Sequence, residues 1–140
     1  DEVLTHDQSP DKQLSNAVKQ IFKLSSELRE EILFIYTETR SLEKRYLKEV
    51  LKKESEFIAK IETLIQRGVE EGMFDVKSPS FVANIIGFNL SIISLRGWNL
   101  LQSHTEEEVL DHLNNFIMRG VGAKTGSNRT VRKRSRKMLV

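Results

Sequence analysis

The chain of 140 residues contains no cysteine, only two prolines and one tryptophan. The absence of cysteine excludes a disulfide framework, a thiolate zinc site and a thiol nucleophile. The three histidines, His6, His104 and His112, include no pair at the spacing that puts two ligands on one helix face, so we expect no metal site. The chain starts with Asp1 and lacks a basic segment followed by an apolar run. We therefore expect a fragment of a cytoplasmic protein without a signal peptide.

Signatures of catalysis are also missing. The length suits one domain and excludes a multidomain enzyme. No Gly-x-Ser-x-Gly elbow is present, and the glutamates cluster at predicted helix ends or polar faces, where solvation and the helix dipole explain them. Segment 120–126 has no glycine directly before Lys124 and follows a helix, so it is no phosphate-binding loop. We expect neither enzymatic activity nor a cofactor.

The positive charge is unevenly distributed along the chain. Of the 22 basic residues, seven lie in segment 122–140, which has no acidic residue. Residues 1–121 contain the remaining 15 basic residues and all 20 acidic ones, so their formal net charge is 15 − 20 = −5. We therefore predict two parts, a folded acidic domain at 1–121 and a basic, solvated tail at 122–140. Contact of the tail with nucleic-acid phosphates is the alternative, and any nucleic-acid binding by this chain would rest on the tail alone.

No run of alternating apolar and polar residues is bounded by turn chemistry, whereas apolar residues recur at helical spacing. We predict an all-α bundle of five helices. They start at Ser9-Pro10, near Ser26, at Leu42, at Ser80 and after Thr105, and the third, with a bend near Ser55, runs to about Glu71.

Capping signals mark several of these boundaries. Ser9-Pro10 and Ser78-Pro79 are typical of an N-cap followed by proline at the first helical position. Thr105 and Glu108 predict a capping box. Gly72 is expected to adopt a left-handed conformation just past the third helix, so that Met73 and Phe74 fold back on its last turn, and the last helix is expected to end near Gly120 or Gly122.

Two helices are apolar over most of their circumference. The second carries Leu28 and residues 32–36, so we expect it to be central. The fourth, 80–101, approaches the length of a membrane span, but four polar residues oppose that interpretation: Asn84, Asn89, Arg96 and Asn99. We expect it to pack on its own domain and on a second subunit, through a stripe of small residues, Ala83, Gly87 and Ser94. The alternative is a central helix in a monomeric bundle.

Polar side chains in apolar surroundings suggest a ligand pocket. Tyr36, Thr39 and Arg40 lie on successive turns of the second helix. Arg40 either pairs with a carboxylate such as Glu43 or meets an anionic ligand. The same two interpretations apply to Asn89 and Trp98. A buried amide or indole N–H needs a hydrogen-bond partner, which either the protein core or a ligand can supply.

The order of these segments resembles the C-terminal half of a TetR-type transcriptional regulator. The similarity rests on three features: a helix ending in Gly-x-x-x-Gly-x-Phe within 64–74, a tryptophan near the end of a helix within 96–100, and a last helix, 105–121, that closes in Phe-x-x-x-Gly. Segment 78–84, which starts the fourth helix, also fits the pattern. The resemblance implies an effector-binding domain that dimerises through its last two helices as a four-helix bundle. It also implies an N-terminal helix-turn-helix unit that binds DNA, and we see no segment of this chain that could form that unit.

The resemblance also implies where the functional sites lie. The pocket is expected among the first three helices and the inner face of the fourth, at Tyr36, Arg40, Phe57, Phe88, Asn89 and Trp98. The dimer interface is expected at Ala83, Gly87, Leu90, Ser94, Leu101, Val109, Leu113, Phe116 and Ile117. Segment 35–40 is similar to regulators that respond to acyl-CoA or lipid-like compounds, which implies a hydrophobic effector that releases a repressor. The alternative is a helical scaffold or adaptor whose basic tail contacts nucleic acid.

Overall fold

The computed structural model describes residues 8–38, 40 and 43–123, and within these residues the regular structure is entirely helical. The all-α prediction is therefore confirmed. The helices are α1 (Pro10–Glu27), α2 (Arg29–Thr37), α3 (Lys44–Glu70), α4 (Pro79–Leu90), α5 (Ile92–Leu100) and α6 (Glu106–Gly120).

The number of helices corrects the prediction of five, because the expected fourth helix is two helices. The backbone N–H of Ser91 donates to the carbonyl of Phe88, three residues back, at 3.2 Å, instead of continuing the four-residue pattern. The axes of α4 and α5 meet at 47° across this break. Apolar periodicity runs through residues 80–101 without a gap, so the sequence pattern alone did not reveal the bend.

The predicted capping residues occupy the expected positions. Thr105 and Glu108 form the full capping box: the Thr105 hydroxyl accepts from the Glu108 N–H at 3.2 Å, and the Glu108 carboxylate accepts from the Thr105 N–H at 2.9 Å. The Ser78 hydroxyl accepts from the N–H of Phe81 at 3.4 Å. Ser9 is the N-cap of α1 by backbone conformation, but its side chain makes no capping hydrogen bond.

The turn after α3 closes as predicted. Gly72 has a φ of +70°, in the left-handed region where glycine carries no steric cost. The N–H groups of Met73 and Phe74 both donate to the carbonyl of Gly68, at 2.8 and 3.0 Å. Phe74 is buried and its ring lies directly over Gly68, where a Cβ would overlap it. The glycine therefore lets the chain fold back closely on α3.

The central helix is α1, which packs against each of the other five helices. Its apolar face is formed by Leu14, Ala17, Val18 and Phe22, all buried. The core continues through the C-terminal half of α3, the inner faces of α4 and α5, and α6. The prediction that the second helix is central is wrong. An apolar circumference indicates that a helix is covered on several sides, but it does not say whether its own subunit supplies the cover.

Candidate functional site

Helix α2 is the least covered apolar element of the fold. None of its nine residues is buried, although it carries Ile32, Leu33, Phe34, Ile35 and Tyr36 in succession. Leu33, Phe34 and Tyr36 are 42%, 51% and 40% exposed. The first half of α3 also buries no residue, since the first buried residue of this helix is Ile61. One end of the bundle thus keeps apolar side chains that its own core does not fill.

The bend at Ser91 gives this end of the bundle its shape. Helix α2 packs against α1 and α5, whereas α4 packs against α3 and α1. Because α4 leaves the axis of α5 at 47°, α2 follows α5 without packing along α4. Leu33 and Tyr36 of α2 and Phe88 of α4 stay exposed here, and we call these three side chains the α2–α4 patch.

A pair of aromatic rings joins the two helices. The centroids of Tyr36 and Phe88 are 6.4 Å apart with the ring planes at 72°, an edge-to-face contact. Behind Phe88, α3 approaches α4 closely, since a Cβ on Gly87 would lie 3.4 Å from Ile58. The α2–α4 patch therefore combines exposed apolar side chains from both helices with an aromatic contact between them.

The structure distributes the six predicted pocket residues differently from the prediction. Tyr36 and Phe88 are brought together, and Phe57 is partly buried against the core. Asn89 is partly buried and donates its side-chain amide to the carbonyl of Ile85 at 2.7 Å, so it is satisfied within its own helix. Arg40 is exposed after the end of α2.

Trp98 is 65% exposed, so its indole lies on the outside of the subunit and does not line an internal pocket. The prediction treated it as a buried group, because a lone tryptophan in an apolar helix most often is one. The choice between inside and outside depends on which face of α5 meets α1 and α2, and the sequence does not contain that information.

Sequence reasoning missed a close contact between α2 and α5. Arg29 opens α2, and its guanidinium lies flat against Gly97 of α5: a Cβ at Gly97 would stand 2.6 Å from Nη2 and 2.9 Å from Cζ. Arg29 is partly buried and makes no hydrogen bond or ion pair with the described residues. Two signals were available: a glycine inside a helix, which often marks a close approach, and a cation at the positive end of a helix dipole.

Most residues of the predicted dimer interface lie inside the subunit. Six of the nine are buried in a single copy of the chain: Ala83, Leu90, Ser94, Val109, Leu113 and Ile117. The small-residue stripe exists, but it serves contacts within the chain. Gly87 meets Ile58 of α3, and the Ser94 hydroxyl donates to the carbonyl of Ser25 at 3.3 Å. Their assignment to the interface is therefore corrected, because periodicity does not distinguish a helix's inner apolar face from its outer one.

Large apolar side chains remain exposed on the opposite faces of these helices. Phe116, one of the nine, is 66% exposed on α6, and Trp98 is 65% exposed on the neighbouring α5. Helix α4 adds Phe81 at 65% and Ile85 at 43%. Within the described residues, the other helices do not cover this surface, so residues 80–101 are not the covered centre of the bundle.

None of the described helices is by itself long and apolar enough to cross a membrane, although α4 and α5 together pass that test as a bent pair. Among the described residues, no group of three or more His, Asp and Glu side chains is arranged to hold a metal ion. Residues 124–140, which carry the basic tail, lie outside the described residues. The domain boundary and the tail-driven alternative therefore stay predictions.

A protein-family model described as "Tetracyclin repressor-like, C-terminal domain" matches residues 7–121, which is most of the chain. The chain belongs to this family. Neither the search of curated proteins nor the search of solved structures found a match. The resemblance noted in the sequence is thus confirmed at the level of the family.

Family membership gives the chain its general role. It is a C-terminal domain of the kind that binds ligands and dimerises in transcriptional regulators, and such a domain is of a non-enzymatic kind. Two sets of exposed apolar residues, the α2–α4 patch and the outer faces of α5 and α6, give two candidate surfaces for these two tasks.

Proposed function

We propose that this chain is the effector-sensing and dimerising part of a cytoplasmic transcriptional repressor that a hydrophobic small molecule releases from DNA. The observation that carries effector binding is the state of α2, which is rich in apolar residues and buries none of them while α1 and the second half of α3 are well packed. An apolar ligand at the α2–α4 patch would cover Leu33, Tyr36 and Phe88.

The second part of the proposal is that two copies pair through the outer faces of α5 and α6. An aromatic side chain buries 150–250 Å² when covered, so hiding the exposed two thirds of Trp98 removes roughly 100–160 Å² from water and contributes about 2.5–4 kcal/mol. Phe116, equally exposed, adds a contribution of the same order. Aromatic residues of this kind commonly dominate the affinity of an interface.

The proposed mechanism couples the two surfaces. In the family architecture each subunit of the dimer carries one DNA-reading unit, and the two must reach major grooves about 34 Å apart. An effector that binds one conformation of the dimer better than the other changes that spacing. Reversing a 99:1 preference requires roughly 10⁴-fold differential affinity, so the effector must contact elements that differ between the two states.

Dimerisation is tested with Trp98→Asp, which places a charge in the proposed interface. Multi-angle light scattering at micromolar concentration is expected to give twice 16.2 kDa for the wild-type chain and 16.2 kDa for the variant. Phe34→Asp, which changes an exposed aromatic on α2, serves as the control and should remain dimeric. A wild-type particle of 16.2 kDa would contradict the pairing.

Effector binding is tested with decan-1-ol, a neutral apolar probe. Saturating probe is expected to raise the thermal unfolding midpoint, because a ligand at 100 times its Kd stabilises the fold by about 2.7 kcal/mol. Tyr36→Asp should abolish the rise, whereas Phe34→Asp, on the opposite side of the same helix, should keep it. In a regulator that carries this domain, operator affinity should fall when an effector is bound. An operator affinity that no bound ligand changes would argue against allosteric control.

A further inference from the structure

We propose that a row of cations on the first half of α3 contacts the phosphate backbone of DNA. The row, which we call the α3 basic ridge, consists of Lys44, Arg45, Lys48 and Lys52. The choice of DNA as the partner rests on the proposed function, which makes this domain part of a DNA-bound regulator. The inference adds a contact by the effector-binding part itself, one that positions the protein on DNA without reading the base sequence.

The α3 basic ridge is a local exception in an acidic domain. Residues 1–121 have a formal net charge of −5, but segment 44–53 contains five basic residues and one acidic residue, a balance of 5 − 1 = +4. The sum over the whole domain therefore conceals a basic surface outside the tail. Such a surface attracts polyanions whatever the sign of the total charge, because close cations act before distant acids at physiological salt.

The four cations lie on one side of the helix. At about 100° per residue they fall within an arc of about 100°, and all four side chains are exposed. Lys44 and Lys52, at the two ends of the ridge, are about 12 Å apart along the axis. One strand of B-DNA presents a phosphate about every 3.4 Å of its axis, so the ridge has the length of roughly three to four phosphates.

The fold gives these charges no partner. Within the described residues, none of the four side chains forms an ion pair. Lys44 and Arg45 are the first two residues of α3, and no acidic residue lies in this first turn, where the helix dipole favours acids and disfavours cations. The ridge therefore does not stabilise the isolated domain, whereas a bound polyanion would neutralise it.

The apolar residues of the same segment favour DNA over a membrane surface. A helix that lies on a bilayer needs a continuous apolar face beside its cations. Leu47 and Val50 are partly buried within the subunit. Tyr46 and Leu51 are exposed, but they are separated by about 140° around the helix and do not form one face. No continuous apolar face is therefore free to enter a bilayer, whereas the ridge is free to meet phosphates.

The test measures the affinity of the 140-residue chain for a short DNA duplex of arbitrary sequence, by fluorescence anisotropy at several salt concentrations. The ridge variant is Lys44→Gln/Lys48→Gln/Lys52→Gln, because glutamine removes the charge and is as good a helix former as lysine. Each phosphate contact contributes about 0.9 to the slope of log K against log salt concentration, so the variant is expected to lose about 2.7 of that slope per subunit. Between about 200 and 50 mM salt, the wild type should then gain roughly 40-fold more affinity than the variant.

A matched control removes the same charge from another helix. Lys12→Gln/Lys19→Gln/Lys23→Gln changes three exposed lysines of α1. It lowers the net charge of the chain as much as the ridge variant does, but it leaves the ridge intact, so its slope should fall by less than about 1. Both variants are compared with the wild type by far-UV circular dichroism, so that unfolding is recognised independently of binding.

Four results would overturn the inference. The first is a wild-type chain that does not bind the duplex at low salt. The second is an unchanged slope in the ridge variant, which would assign DNA binding to the tail. The third is an equal decrease in the α1 control, because net charge alone would then explain the effect. The fourth is a ridge variant that keeps its DNA affinity but loses binding to vesicles of phosphatidylserine and phosphatidylcholine, which would make the ridge a membrane contact.

These outcomes are independent of the tests of the proposed function. Light scattering reports on the outer faces of α5 and α6, and decan-1-ol binding reports on the α2–α4 patch, and none of the ridge residues belongs to either surface. A failure of the ridge therefore leaves dimerisation and effector binding standing. A monomeric chain that binds no decan-1-ol but shows the expected loss of slope would refute the proposed function and keep the phosphate contact.

Discussion

Replacing Gly68 with alanine should strongly destabilise the fold, whereas the same replacement at Gly120 should stabilise it. An ideal Cβ on Gly68 lies 2.1, 2.4 and 2.8 Å from three carbons of the Phe74 ring, and ordinary contacts begin at 3.4 Å. The ring must therefore move by roughly 1.3 Å. Phe74 is 3% exposed, so the surrounding core leaves it little room. Gly120, in the last turn of α6, has no heavy atom within 4 Å of its Cβ position.

The size of the effect follows from two opposing terms. Displacing a buried phenylalanine costs about 3–5 kcal/mol when its contacts are lost, and overpacking alone costs about 1–3 kcal/mol. Alanine in a helix gains about 1 kcal/mol over glycine. The displacement exceeds the few tenths of an ångström that a neighbour can give, so the cost is closer to about 3–5 kcal/mol than to about 1–3 kcal/mol. We expect Gly68→Ala to lose about 2–4 kcal/mol and Gly120→Ala to gain about 0.5–1 kcal/mol.

The assay is thermal and urea unfolding followed by circular dichroism, at one protein concentration because dimerisation makes the midpoint concentration-dependent. Gly68→Ala is expected to lower the midpoint by roughly 10 °C. The double variant Gly68→Ala/Phe74→Leu should recover part of the loss, since leucine vacates the space that the ring occupied. A Gly68→Ala protein as stable as Gly120→Ala would refute the close packing of Phe74 on α3.

Two further measurements test other contacts. Thr105→Ala should cost about 1 kcal/mol of unfolding free energy because it removes the capping box, whereas Ser9→Ala, at an N-cap whose side chain makes no capping bond, should cost only a few tenths; equal losses would contradict the cap geometry. A double-mutant cycle with Tyr36→Ala and Phe88→Ala should give a coupling of about 0.5–1.5 kcal/mol in urea unfolding, and strict additivity would mean that the rings do not meet.

The helix boundaries were largely accessible from the sequence because they depend on neighbouring residues. Each boundary signal acts within one turn of the chain. A serine or threonine hydroxyl accepts from free N–H groups at the start of a helix, and a glycine past the last turn lets the chain close on free carbonyl groups. The structure has all three, at Ser78, Thr105 and Gly72. The break at Ser91 was missed because serine is compatible with both a helix interior and a helix end.

The candidate site was only partly accessible. Tyr36 and Phe88 were both named in advance, and the structure brings them into contact. The contact of Arg29 with α5 was missed, because a pattern in sequence does not reveal that a glycine 68 positions away lies under its guanidinium. Of the residues predicted for the interface, Ala83 and Ser94 are buried within the subunit, while Trp98, predicted to line a pocket, lies outside.

The sequence by itself determined the helical class, the caps, the chain reversal at Gly72 and the family, since these depend on local spacing and on short-range hydrogen bonds. Tertiary structure alone decided which helix is central, which face of each apolar helix meets the core, and which apolar side chains stay exposed. The physical reason is that the hydrophobic effect has no direction: it requires an apolar surface to be covered, and only the arrangement of the other helices specifies what covers it.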